Sequence, residues 1–137
     1  MLRRLLPLAA VLALTATGAA AENLGPVSNA AAQKECSVCH MAYQPQFLAA
    51  DSWSTIFADL ANHFGNDASL PEATLKEIAD YYVANAGKPV GGRITETKWW
   101  VRRHSELPDA WWVKVKYKGN CVACHKNAEQ GYYSEEE

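Results

Sequence analysis

Past its first twenty or so residues the chain has no apolar run able to cross a bilayer, which takes about 20 consecutive residues. It lacks any surplus of positive charge. Thirteen Lys and Arg stand against 15 Asp and Glu, a formal −2, so no nucleic-acid partner is expected. Methionine is nearly missing, with only Met1 and Met41. Histidine is confined to His40, His63, His104 and His125, and cysteine to Cys36, Cys39, Cys121 and Cys124. Hydrophobic periodicity is poor after Gly92, so the last third could hardly fold alone on apolar packing.

The apolar stretch that does exist sits at the start. Arg3 and Arg4 precede a run from Leu5 to about Ala16, and Ala19-Ala20-Ala21 follows. A basic start, a short apolar segment and a small-residue end are the parts of a secretory signal peptide. Residues 1–21 are therefore expected to be removed, leaving an exported chain that is not membrane-embedded.

All four cysteines fall in one pattern spelled twice: Cys36-Ser-Val-Cys39-His40 and Cys121-Val-Ala-Cys124-His125. Cys-x-x-Cys-His is the attachment signature of c-type haem. Two thiols three positions apart add to the two vinyl groups on one porphyrin edge, and the histidine that follows gives the iron an axial nitrogen. Two covalently bound haem c groups are expected, one on Cys36 and Cys39, the other on Cys121 and Cys124. Rival uses of paired cysteines fit less well. An oxidising compartment permits disulfides, but a disulfide framework gives no reason for a histidine after each pair. A zinc ribbon keeps its pairs about 15 to 20 residues apart, and a thioredoxin-like pair needs a βαβ context. Five Trp, six Tyr and three Phe offer flat partners for porphyrin faces.

The remaining histidines decide what two haems could do. His40 and His125 belong to the motifs, which leaves His63 and His104 for two sixth positions. Met1 goes with the signal peptide, and Met41, next to His40, cannot easily reach the opposite face of that haem. Bis-histidine ligation at both irons is the economical assignment, with haem 1 held by His40 and His63 and haem 2 by His125 and His104. A crossed pairing, each distal histidine reaching the other haem, stays open. Iron with both axial positions filled has no place for a substrate and exchanges electrons; histidine in place of methionine lowers the potential. Arg93, Arg102 and Arg103 are candidates to meet haem propionates.

Taken in order, Ser28 is expected to cap a helix from Asn29 to about Glu35 that delivers Cys36. Met41 to Asp51 reads as an irregular loop around the haem edge. Asp51 or Ser52 opens a helix to Phe64 that stops at Gly65 and carries Trp53, Ile56, Phe57, Leu60 and Phe64 on one face, with His63 at its border. Ser69-Leu-Pro-Glu72 reads as a capping box for a helix to about Ala86, ending at Gly87, with Leu75, Ile78, Ala79, Tyr82 and Val83 as its buried stripe. This order is that of a reduced class I cytochrome c. Residues 88–92 read as a linker. Beyond it, Thr97 can cap a short helix to His104, and residues 111–117 alternate weakly, as an extended segment would. The fold class expected is mainly α: a class I cytochrome c-like haem 1 domain (22–87) and a small, irregular, haem-organised haem 2 domain (93–137).

Charge divides unevenly between them. Residues 22–88 hold eight acids and three lysines, whereas residues 89–137 hold eight bases and seven acids. An acidic first half suits a basic partner. The main alternative to an electron carrier is a small-molecule haem enzyme, peroxidase-like, in which one distal histidine is displaced. It would need a substrate pocket that so short a chain has little material to build.

Glu35-Cys-Ser-Val-Cys-His-Met-Ala-Tyr43, Asp51-Ser-Trp53, His63-Phe-Gly-Asn-Asp-Ala-Ser-Leu70, Arg93-Ile-Thr95 and Asn120-Cys-Val-Ala-Cys-His-Lys-Asn-Ala-Glu-Gln-Gly131 together resemble the small dihaem cytochrome c family of bacteria. In that family a proline usually precedes Ser-Trp, where this chain has Ala49 and Ala50, a difference that bears on the shape of one loop. The resemblance implies bis-histidine irons on His40, His63, His104 and His125, and a periplasmic electron carrier rather than an enzyme. It also implies redox-protein partners: a membrane b-type cytochrome as donor and an oxygen-binding monohaem cytochrome c as acceptor.

Overall fold

The computed structural model describes residues 23–133; the expected signal peptide lies outside the described residues. Among the described residues there are five α-helices and five short 3-10 turns, and no strand. Extended pairing is limited there to two isolated bridges, Asn23 with Tyr132 and His63 with Asn66. The mainly α expectation holds, and no helix among them is long and apolar enough to cross a membrane.

Helix α1 spans Ala30–Cys36. Three alanines favour it, and the Asn29 side chain caps it by accepting from the Ala32 N–H at 2.7 Å. The expected cap, Ser28, is engaged elsewhere, its N–H donating to the Tyr81 hydroxyl at 3.0 Å. Helix α2 spans Ala50–Ala58 and α3 spans Glu72–Ala84. They pack on each other and, with α1, bury Val27, Ala32, Ala42, Leu48, Trp53, Ile78 and Tyr82 as the core. Leu48 and Ile78 are fully buried, each contributing about 1.5–3 kcal/mol relative to exposure.

Two helix expectations need correction. α2 starts earlier, at Ala50, and stops at Ala58, so His63 is not helical. A 3-10 turn, Leu60–Asn62, follows, and the chain then reverses with Phe64 at φ 54° and Gly65 at φ 92°. The Ser54 and Thr55 hydroxyls donate back to the Ala50 and Asp51 carbonyls, a local competition that weakens a helix. Phe64 thereby leaves the expected apolar face and is exposed, as is Val83 on α3. The expected capping box does not form either. Pro71 holds the cap position without a side-chain bond, and the Ser69 N–H is taken by Asp67 Oδ1 at 2.9 Å. α3 ends before Gly87, whose N–H donates to Leu48 O at 2.8 Å. A Cβ there would run into the Gln46 backbone, so Gly87 marks a chain crossing rather than a helix stop.

In the second half Thr97 caps α4, Lys98–Arg103, as expected, its hydroxyl accepting from Trp100 N–H at 3.2 Å. Residues 111–117, expected to be extended, instead lie largely in helix α5, Asp109–Val115. Pro108 pre-sets the entry, Asp109 and Lys114 suit the two ends of the helix dipole, and Trp112 and Val115, three apart, turn inward together.

The two halves are laced together by the loop from Met41 to Ala49. Its Gln44, Pro45, Phe47 and Leu48 are buried. Tyr43 Oη donates to Gly119 O at 2.8 Å, and Gln44 Nε2 donates to Ala128 O at 2.9 Å. Tyr133 Oη donates to Gln44 Oε1. The 88–92 segment is pinned rather than loose: Ala49 N–H donates to Pro89 O at 2.7 Å and Gly91 N–H to Ser52 Oγ at 3.2 Å.

Candidate functional site

The two Cys-x-x-Cys-His motifs fold alike although only the first follows a helix. In the first, the N–H groups of Cys39 and His40 both donate to Cys36 O, at 3.4 and 3.3 Å. In the second, those of Cys124 and His125 donate to Cys121 O, at 3.2 and 2.8 Å. Each turn half-buries its first cysteine, exposes its second and aims the histidine inward. None of the four cysteines forms a disulfide with another. Burial pushes the Cys36 and Cys121 thiols up to about 11.

Opposite each motif histidine stands one of the other two. The rings of His40 and His63 have centroids 6.1 Å apart with planes 28° from parallel. Those of His104 and His125 are 6.3 Å apart with planes at 88°. An imidazole nitrogen sits about 2.0–2.1 Å from a transition metal such as zinc. The ring centroid lies roughly 1.1 Å behind that nitrogen, so two imidazoles sharing one metal stand about 6 Å apart. The residues therefore fit an iron between each pair, and the local pairing is the one the geometry brings together.

Hydrogen bonds set the ring tautomers in the same sense. His40 Nδ1 lies 2.7 Å from Met41 O and His104 Nδ1 lies 2.9 Å from Trp100 O. A proton held on Nδ1 leaves Nε2 with the lone pair that binds metal. His63 is held below the ordinary imidazole pKa by burial, with His40 and Arg93 acting the same way, which favours its neutral, ligating form. The 3-10 turn and the reversal at Phe64 deliver His63; the end of α4, one residue past Arg103, delivers His104.

Aromatic rings surround both pairs. Tyr43 stacks on His40 at 4.7 Å. Trp100 stacks on His104 at 4.2 Å, Trp112 stands 6.0 Å from it, and Tyr133 meets His125 at 5.5 Å. Burial raises the phenol pKa of Tyr43 and Tyr133, keeping them as hydrogen-bond donors. A cleft of about 530 Å³ opens beside His63, with Ser52, Ile56, Phe64, Val90 and Gly91 among its walls. Arg93, one of the three candidate propionate partners, lies 4.1 Å over the Phe64 ring and 3.4 Å from Glu96; Arg102 and Arg103 are exposed on α4. Among the described residues no three His, Cys, Asp or Glu side chains converge as a metal cluster would require.

Sequence reasoning missed Tyr43, Gln44 and Tyr133 as parts of this site. Only the position of Tyr43, three residues past His40, offered a signal.

The profile of the family described as dihaem cytochrome c matches residues 32–133. The chain belongs to the dihaem cytochrome c family. It is similar to the crystal structure of DHC purified from Rhodobacter sphaeroides, at 43% identity and a TM-score of 0.74, covering 78% of this chain and 98% of that one. A diheme cytochrome c from Rhodobacter sphaeroides matches at 40% identity and TM-score 0.74, covering 79% and 98%. The diheme cytochrome c of Shewanella baltica matches at 38% identity and TM-score 0.71, covering 77% and 87%. No curated relative matches the chain. Membership of the family implies two haems, which is what the doubled motif and the two histidine pairs fit.

Proposed function

We propose that this dihaem cytochrome c is an electron-transfer protein whose two haems are both ligated by two histidines. In this reading Cys36 and Cys39 hold haem 1 by thioether bonds, and His40 and His63 fill its axial positions. Cys121 and Cys124 hold haem 2, and His125 and His104 fill its axial positions. The observation that carries the reading is the pair of histidine separations, 6.1 and 6.3 Å, each matching one metal between two imidazoles. When bound, the haem iron supplies one-electron chemistry between its ferric and ferrous states.

The protein's own part is positional. His40 and His104, by donating from Nδ1 to a carbonyl, gain basicity at Nε2 and lower the potential. Tyr43, Trp100, Trp112 and Tyr133 cover the histidine rings and keep water away from them. With both axial positions held, no substrate can reach a metal, and no observation favours the peroxidase-like alternative. Residues 22–87 and 93–137 are each organised around one haem, joined through residues 88–92. The signal-peptide pattern of residues 1–21 supports work in the periplasm. The family resemblance supports redox-protein partners, with a membrane b-type cytochrome as donor and an oxygen-binding monohaem cytochrome c as acceptor.

The test is carbon monoxide added to the fully reduced holoprotein. The spectrum should stay unchanged, because both sixth positions are occupied; prompt, stoichiometric binding would overturn the reading.

A further inference from the structure

The segment that builds haem 2's surroundings carries a charge pattern that bis-histidine ligation does not require. Between residues 97 and 126 seven Lys and Arg face only Glu106 and Asp109. Between residues 23 and 92 the balance is opposite, seven acids to three lysines. Lys114, Lys116 and Lys118 are exposed and take part in no ion pair among the described residues. Apolar side chains are interspersed with these cations along the chain, and Lys114 Nζ stands 5.7 Å from the Trp111 ring. Trp111 is 49% and Val113 82% exposed, and Val101, Tyr117 and Val122 are exposed as well. Exposed apolar groups rimmed by one sign of charge mark an interaction surface.

The surface also has a short route inward. Lys118 Nζ lies 5.7 Å from the Trp112 ring and 5.9 Å from the Trp100 ring. Those two indoles contact the His104 ring directly, at 6.0 and 4.2 Å. A partner seated over Lys118 is thus one indole away from an axial histidine of haem 2.

We infer that the surface formed by α4, α5 and the loop to Cys121 docks an acidic one-electron redox protein and is where haem 2 exchanges electrons. The inference rests on the electron-carrier reading above. One electron crosses per encounter: a donor partner is oxidised by one electron as the haem 2 iron is reduced by one, and an acceptor reverses this. No bond and no proton is exchanged. A protein fits better than a lipid surface. The exposed apolar groups are spread over two short helices and a loop, while the inner face of α5 is spent on Trp112 and Val115. Long-range attraction between unlike charges speeds such encounters and is screened by salt over a Debye length of about 10 Å at 0.1 M.

The experiment is stopped-flow reduction of the holoprotein by a strongly acidic [2Fe–2S] ferredoxin. The triple variant Lys114→Gln/Lys116→Gln/Lys118→Gln is compared with a control, Lys34→Gln/Lys76→Gln/Lys88→Gln. At low salt the first variant should be reduced roughly tenfold more slowly, with a flattened salt dependence, and the control within about twofold of the unaltered protein. Photogenerated lumiflavin semiquinone, a small neutral donor, should reduce all three equally. Equal ferredoxin rates in the two variants would overturn the docking surface while leaving the electron-carrier reading intact. Failure of lumiflavin to reduce the unaltered protein would instead defeat that underlying reading. Sedimentation of the unaltered protein, but not the first variant, with phosphatidylglycerol vesicles, together with unchanged ferredoxin rates, would assign the surface to a membrane and overturn the proposal.

Discussion

Gln44→Leu tests whether the haem 2 half depends on the haem 1 half. Gln44 is 1% exposed. Its Nε2 donates to Ala128 O at 2.9 Å, and its Oε1 accepts from Tyr133 Oη, bonds that span more than eighty residues. Leucine keeps the volume nearly unchanged, so little cavity cost is added. Ala128 O retains the Tyr133 hydroxyl as a donor at 3.2 Å, so neither group is left wholly unpaired. What remains is the loss of two hydrogen bonds, about 1 kcal/mol each and about 2 kcal/mol together. With an m-value of about 4 kcal/mol/M in guanidinium chloride, the midpoint should drop by about 0.5 M. Tyr43→Phe loses only the bond to Gly119 O and should shift the midpoint about half as far. The assay is holoprotein unfolding followed by Soret circular dichroism. Both haem signals should move together in one transition. An unchanged midpoint in Gln44→Leu, or early loss of one haem signal alone, would refute the argument that these contacts join the halves.

His63→Ala should leave haem 1 open on one side and bind one carbon monoxide per chain after reduction, with haem 2 remaining low-spin; an unchanged spectrum would remove His63 from the ligand set. In the holoprotein the proposed thioether bonds predict that none of the four cysteines reacts with iodoacetamide, even after unfolding; alkylation of any of them would remove it from the haem attachment.

The sequence carried the chemistry further than the shape. A doubled Cys-x-x-Cys-His is readable because its geometry closes within five residues, and the counting of four histidines and one remaining methionine pointed to His63 and His104, whose rings the fold sets opposite those of His40 and His125. The helix expected to carry His63 was misplaced because Leu60 and Phe64 continue the apolar spacing of α2. The backbone nevertheless breaks at Asp59 and reverses at Phe64, where the side-chain pattern gives no warning. α5 was hidden by Trp111, Val113 and Val115, whose alternation imitates a strand; only the inward packing of Trp112 on Trp100, 5.4 Å away, shows why a helix wins. Gln44 and Tyr133 were invisible because they meet each other across most of the chain, and a buried amide has no local signature.

The most direct test of the central claim is low-temperature EPR of the ferric holoprotein, quantified by spin count and paired with a haem assay. Two haems per chain should give two low-spin signals accounting for all the iron. Near-parallel imidazoles, as at His40 and His63, give a rhombic signal. Near-perpendicular ones, as at His104 and His125, give a highly anisotropic signal with a larger maximum g. The planes at 28° and 88° therefore predict one of each. A high-spin ferric signal of one spin per chain, or a single haem per chain, would contradict two bis-histidine centres.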